Sequence, residues 1–321
     1  MMFSRIVLTL LIVLTIHSDG VAALRLPFGQ VPLPVRPDIV QEALDRGEPL
    51  YYFAIGSNLS RQKLENRGIN GTKIEILSME AGYVSNYRLA FNLRGFPPIE
   101  PGMGALEPLD GSSSRPLLQY SGNECHGALV KLTPENYEKV MKSEGINGAN
   151  TQAYDEIVVD VYPYKNPKRP IRAISLRARE HVRLRKDPCP SLRYMKILRD
   201  GAQELGLKPC YQTFLAEHPT QKMPQWLKKI AFYNLVFTGT LSFRLKFRLV
   251  SRIQSFLLYQ FYDPTSHLIT DVLTTAVLLP GSLVGLLYYQ VLAKTGNLSP
   301  FIKRFQTLLE VESKEVTSST S

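Results

Sequence analysis

The chain has 321 residues, a net charge of +10, 44% hydrophobic and 21% charged residues. That length suits about two units, and the composition excludes wholesale disorder: only 311–321, rich in Ser, Thr, Glu and Lys, has little to bury. Three cysteines at irregular spacing, Cys125, Cys189 and Cys210, exclude a disulfide framework and a zinc pattern, leaving one bridge or buried free thiols.

Arg5 precedes an apolar run over 6–16, and a short polar stretch then ends in Val21-Ala22-Ala23. A basic start, a short apolar core and small residues before the break predict a secretory signal peptide over 1–23. The alternatives are an uncleaved anchor and the first part of a bipartite plastid presequence. The expected localisation is therefore the secretory pathway, with a membrane-associated or plastid destination. Residues 24–46 read as a proline-rich linker, and 47–215 as the main folded domain.

Within that domain, 51–55 is a short aromatic and aliphatic strand that stops at Gly56-Ser57-Asn58. Residues 59–67 follow as a helix capped by Ser60, or one step earlier by Ser57 or Asn58. Strand patterns recur over 81–92, 104–107, 125–132, 156–162 and 171–178. Thr133-Pro134-Glu135 opens a helix running to Ser143, and Pro190-Ser191 opens another running to Leu205 and ended by Gly206. Strand runs interrupted by helices predict a mixed α+β fold, not a doubly wound parallel sheet.

The composition changes over 216–310. Lys222, Lys228, Lys229, Arg244, Lys246, Arg248 and Arg252 occur without an intervening acid, interleaved with Trp226, Phe232, Phe237, Phe243 and Phe247. That mixture favours an anionic membrane surface over nucleic acid, with a plain solvated basic face as the competing reading. Residues 241–249 alternate apolar and polar with a period of two, which suits a strand, yet their surroundings also suit an interfacial helix. Val272 to Leu292 is a 21-residue stretch without a charge. It is a candidate membrane span, a re-entrant segment or a buried helix, because Thr274, Thr275 and Pro280-Gly281 weaken it as a span.

The stretch with the most chemical content is Tyr52-Phe53-Ala54-Ile55-Gly56-Ser57-Asn58-Leu59. A strand that enters a Gly-Ser-Asn turn and then a helix aims free first-turn N–H groups at an anion. By local pattern alone it is an ordinary strand–turn–helix junction. The same stretch resembles the Tyr-Phe-Ala-Tyr-Gly-Ser-Asn-Leu signature of the γ-glutamyl cyclotransferase family, departing at Ile55. Co-linear similarities follow at Phe91-Asn92, Gly104-Ala105-Leu106-Glu107, His126-Gly127-Ala128-Leu129-Val130, Glu144-Gly145-Ile146 and Pro190-Ser191-Leu192-Arg193-Tyr194.

The resemblance implies a barrel-like mixed sheet with surrounding helices, and a cyclising cleavage of a small γ-glutamyl compound that releases 5-oxoproline. It implies Glu144 as the catalytic carboxylate, base and then acid. It also implies Tyr52, Phe53, Ala54, Ile55, Gly56, Ser57, Asn58 and Tyr194 at the substrate, with Tyr154 as a further tyrosine at longer spacing than usual. No metal and no cofactor is required. Glu135, Glu138, Asp155 and Glu156 compete with Glu144 on composition alone. His126 reads as structural and Cys125 as core. γ-Glutamyl amino acids, dipeptides and amines rank above glutathione as substrates. A catalytically silent, membrane-associated module that binds γ-glutamyl ligands is the alternative from another class. Asn58, Asn70 and Asn297 are formal glycosylation sequons, and a glycan on Asn58 would block the proposed loop.

Overall fold

The computed structural model describes residues 36–68, 72–96, 100–110, 114–144, 153–180, 182–221, 225–237 and 268–298, together with 302–303 and 306–307. The signal peptide expected over 1–23, the alternating stretch over 241–249, Gly145-Ile146, the Asn70 sequon and the 311–321 tail lie outside the described residues.

Seven strands follow in chain order: β1 Leu50–Ala54, β2 Ser78–Ser85, β3 Tyr87–Phe96, β4 Glu100–Pro108, β5 Glu124–Leu132, β6 Tyr154–Pro163 and β7 Ile171–Ala178. Five of them close a barrel in the order β1-β5-β2-β6-β7. Its pairs are antiparallel except at the closing seam, where β1 meets β7 in parallel at Tyr52 and Ile174. Closure leaves the barrel without a free edge. β3 and β4 form a separate two-stranded sheet with a register shift between Ala90 and Leu93. The α+β expectation and the barrel-like sheet hold.

The patterns explain the elements. β5 reads as an almost unbroken apolar run and is buried along nearly its whole length. Thr133 caps helix α3 (Pro134–Ser143) by accepting from the Asn136 N–H at 3.3 Å, with proline at the first turn. Ser191 does the same for helix α4 (Leu192–Glu204), accepting from the Tyr194 N–H at 3.0 Å, and Gly206 follows that helix at φ 67°. Glu100 of β4 fastens this helix start to the sheet: its Oε1 accepts from the Ser191 N–H at 3.0 Å and its Oε2 from the Ser191 hydroxyl.

Three local expectations change. The single strand expected over 81–92 is two strands, because Asn86 adopts φ 63° and turns the chain between β2 and β3. Within the stretch read as linker, Asp38–Arg46 forms helix α1, closed by Gly47 at φ 68°. The helix expected over 59–67 is shorter: Ser57–Leu59 is a 3₁₀ turn and only Arg61–Glu65 is α-helical, as α2.

Helix α5 (Pro209–Glu217) packs beside α4. Beyond it, α6 (Gln225–Val236) packs against the long helix α7 (Leu268–Lys294), with Phe232, Val236, Leu292 and Ile302 at their junction. The 272–292 stretch, by sequence a candidate membrane span, re-entrant segment or buried helix, falls inside α7. Among the described residues no helix is long and apolar enough to cross a membrane. Pro280 lies inside α7 near its middle, and Ser282 turns its hydroxyl to the Ile230 carbonyl of α6 at 2.8 Å.

Candidate active site

The 3₁₀ turn sits where β1 leaves the barrel, and α4 presses on it directly. A Cβ on Gly201 of α4 would lie 2.8 Å from the Leu59 carbonyl carbon and the Ser60 nitrogen. Only a residue without a side chain lets this helix come so close to the turn. From the same helix, Tyr194 reaches over the turn. Its hydroxyl accepts from the Gly104 N–H at 2.9 Å, and the hydroxyl of Tyr154 donates to the Gly104 carbonyl at 3.0 Å. Gly104 therefore ties two tyrosines from different elements to one point on β4.

Gly56 is fixed by the same crowding. A Cβ there would lie 2.7 Å from the Tyr194 hydroxyl oxygen. Gly56→Ala is expected to cost about 1–3 kcal/mol through overpacking, read as a lowered denaturation midpoint. The double variant Gly56→Ala/Tyr194→Phe should cost less than the sum of the two single changes, because it removes the atom that the methyl strikes. Strict additivity would show that the two residues do not press on each other.

Glu144 follows α3 as its C-terminal cap. Its Oε1 accepts from Asn58 Nδ2 at 2.9 Å, across 86 positions of sequence. Asn58 Nδ2 also donates to the Tyr52 hydroxyl oxygen at 3.0 Å. The same Oε1 lies 2.8 Å from Nη1 of Arg67, whose Nη2 donates to the Ser57 hydroxyl at 2.7 Å. Turn, glutamate and arginine thus form one continuous network. Asn58 is buried, so its sequon is blocked by the fold itself.

The competing carboxylates are engaged elsewhere. Glu135 pairs with Lys139 at 2.7 Å, Glu138 with Arg36 at 2.6 Å, and Asp155 with Arg179 at 3.2 Å. Glu156 accepts from the Tyr137 hydroxyl at 2.6 Å and pairs with Arg36 at 3.2 Å. Phe53, Ala54 and Ile55 are packed into the hydrophobic core. Ile55, where the stretch departs from the signature it resembles, lies in this core. His126 is wholly buried among aromatic rings, with Nδ1 at the Tyr164 hydroxyl, and burial pushes its pKa down to about 4.

Burial raises the pKa of Tyr52, Tyr154 and Tyr194, and the nearby Glu144 adds to the rise in each. All three stay neutral phenols that can give or take hydrogen bonds. Burial draws the Arg67 guanidinium down, but Glu144 and the three tyrosines more than offset this and leave its pKa raised. Arg67 is the member of the site that sequence reasoning missed. The sequence suggests a helix over 59–67, whereas α2 ends at Glu65 and Arg67 reaches the turn at the Ser57 hydroxyl. Its N–H bonds the Leu64 carbonyl at 3.1 Å. The signal that could have found it is a basic residue placed just beyond an anion-binding turn.

No family model matches the chain. A γ-glutamyl cyclotransferase, gliK, of Claviceps purpurea is 33% identical over 154 residues, 47% of this chain and 64% of that protein. A second gliK, of Aspergillus fumigatus, is 27% identical over 189 residues, 54% of this chain and 64% of its own length. The γ-glutamyl cyclotransferase aclK of Aspergillus oryzae is 26% identical over 56% of this chain and 65% of its own length. The chain thus spans less than two thirds of the length of these curated relatives. A solved structure of a γ-glutamyl cyclotransferase superposes with a TM-score of 0.43 at 21% identity, covering 55% of this chain and 91% of its own.

Proposed function

We propose that this chain, which is γ-glutamyl cyclotransferase-like over about half its length, cleaves a γ-glutamyl amide by ring closure and releases 5-oxoproline and an amine. The observation that carries this reading is the hydrogen bond between Asn58 of the turn and Glu144, at 2.9 Å. It supports the reading by setting a carboxylate beside the Gly56-Ser57-Asn58 turn.

The chemistry follows from the substrate. A γ-glutamyl amide holds a free α-ammonium within ring-closing reach of its own γ-carbonyl. Glu144 takes one proton from that ammonium. The freed amine attacks the γ-carbonyl carbon, a C–N bond forms, and the carbonyl oxygen gathers negative charge. The first-turn N–H groups at Ser57 and Asn58 are the donors assigned to that oxygen. The tetrahedral centre then collapses, the bond to the leaving nitrogen breaks, and Glu144 gives its proton to that nitrogen. The attacking nitrogen sheds its second proton through the same carboxylate to the released amine, which leaves as an ammonium while the lactam keeps one N–H. Because the attack is intramolecular, the protein contributes mainly by holding the folded-back substrate in place. The neutral tyrosines and the close α4–turn packing supply a rigid wall for it.

The test is to incubate the full chain with a panel of γ-glutamyl dipeptides, γ-glutamyl amines and glutathione, and to assay 5-oxoproline by mass. Turnover of a γ-glutamyl dipeptide or amine is the expected result, with glutathione weaker. Ligand-dependent thermal stabilisation without product would instead assign a silent binding module. No product and no stabilisation by any member would end the reading.

A further inference from the structure

The site holds more charge than proton transfer needs. One carboxylate would suffice for the acid/base role, yet Glu144 is paired with a guanidinium that is itself largely enclosed: the Glu144 and Arg67 side chains are 12% and 25% exposed. Two of the five N–H groups of Arg67 are engaged among the described residues, one by Glu144 and one by Ser57. Both contacts to Glu144 fall on Oε1. Beside them, Oδ1 of Asn58 is buried with no hydrogen-bond partner among the described residues, while Nδ2 of the same amide donates to Glu144 and to Tyr52. A buried acceptor without a donor is costly, and one placed in a site calls for a donor from the ligand.

We infer that Arg67, Glu144 and Asn58 form a clamp for the zwitterionic end of an α-amino acid, with Arg67 taking the α-carboxylate and Glu144 Oε2 with Asn58 Oδ1 taking the α-ammonium. This rests on the cyclotransferase reading and sharpens it. The α-carboxylate is assigned to Arg67, so the turn amides are reserved for the γ-carbonyl oxygen. A planar guanidinium matches a carboxylate with two parallel hydrogen bonds, and the match is strengthened by charge on both partners. The Arg67–Glu144 ion pair is complementary to the charges of such a ligand. Entry of the zwitterion exchanges one ion pair for two, so neither buried charge is stranded. The Ser57 hydroxyl holds the guanidinium in place during the exchange. Specificity follows: compounds lacking the free α-carboxylate should be poor substrates, whereas the amine side of the γ-amide lies away from the clamp.

The experiment compares γ-glutamyl-alanine with the same compound carrying a carboxamide in place of the α-carboxylate, using the full chain in its natural form and as Arg67→Met. Loss of one charge-assisted contact corresponds to ~10–100-fold. Arg67→Met is expected to lower kcat/KM for the α-carboxylate compound by that factor beyond whatever loss it causes with the carboxamide, mostly through KM, because the loss of Glu144's counter-charge falls on both compounds alike. Arg67→Lys keeps the charge without the fork and should fall between, on the α-carboxylate compound alone. It also serves as the variant to read should Arg67→Met fail to fold. Equal losses on both compounds would overturn the inference and leave Arg67 as a support for Glu144. Should the natural chain turn over neither compound, the cyclotransferase reading fails. The clamp is then decided by thermal stabilisation with γ-glutamyl-alanine, expected in the natural chain, absent in Arg67→Met and absent with the carboxamide. Stabilisation retained in Arg67→Met would refute it.

Discussion

Glu144→Gln is expected to lower 5-oxoproline release by ~10²–10⁴-fold, the scale of a lost acid/base group, while leaving the protein folded. The change is close to isosteric. A glutamine carbonyl oxygen can still accept from Asn58 Nδ2 and Arg67 Nη1, the two contacts that Glu144 Oε1 makes at 2.9 Å and 2.8 Å. What it cannot do is take a proton from the substrate ammonium and return it to the leaving nitrogen. The loss should therefore appear in kcat. A smaller loss of affinity should accompany it, because the charge facing the ammonium is gone. Far-ultraviolet circular dichroism and the denaturation midpoint serve as controls, since Arg67 keeps its acceptor but loses its counter-charge. Activity retained in Glu144→Gln would remove this residue from the chemistry. The same loss in Glu135→Gln, whose carboxylate pairs on the surface with Lys139 at 2.7 Å, would show that the assay reads stability instead.

How much of this was legible in the sequence depends on the distance over which each residue acts. The Gly56-Ser57-Asn58 turn and the caps at Thr133 and Ser191 are local devices whose partners lie within a few positions, and they fall where the pattern puts them. Glu144 is different. Nothing local separates it from Glu135 or Glu138, and resemblance alone singled it out. Its bond to Asn58 crosses 86 positions and exists only because the barrel brings β1 beside the end of α3. Arg67 was hidden by an overlong helix: the periodic run through 59–67 gave no hint that α2 stops at Glu65. Asn86 was hidden for a related reason. A residue in left-handed geometry splits one apparent strand into two, and asparagine permits this without announcing it as glycine would. For α7 the sequence showed a charge-free length. Packing on α6, which occupies Phe232, Val236 and Leu292, has no periodic mark strong enough to read beforehand.

Asp187→Ala is expected to be the most destabilising single change outside the barrel core, at about 3–5 kcal/mol, the range for stranding one member of a buried ion pair. Asp187 is 1% exposed, and its Oδ2 takes Arg88 Nη1 at 2.8 Å and the Phe91 N–H at 3.1 Å. Its Oδ1 takes the Ser114 hydroxyl at 2.5 Å. Removing it leaves the buried Arg88 guanidinium without its counter-charge, though still bonded to Ser114, and a strand N–H and a hydroxyl without their acceptor. Measured against a whole-domain stability of about 5–15 kcal/mol, that is a large share. For a domain of this size it corresponds to roughly 6–20 °C in Tm. The control replaces both charges: Arg88→Met/Asp187→Leu should be milder than Asp187→Ala, because apolar pairs often replace buried ion pairs at little cost. The effect should also reach the site. β3 carries Phe91, whose ring meets Tyr194 edge-on at 6.2 Å, and β4, paired to β3, supplies the Gly104 N–H that holds the Tyr194 hydroxyl. Loosening β3 therefore frees the tyrosine that crosses the turn, and activity in Asp187→Ala should fall below what the folded fraction alone accounts for. A Tm within 2 °C of the natural chain would show that the cluster is solvated and carries little of the stability.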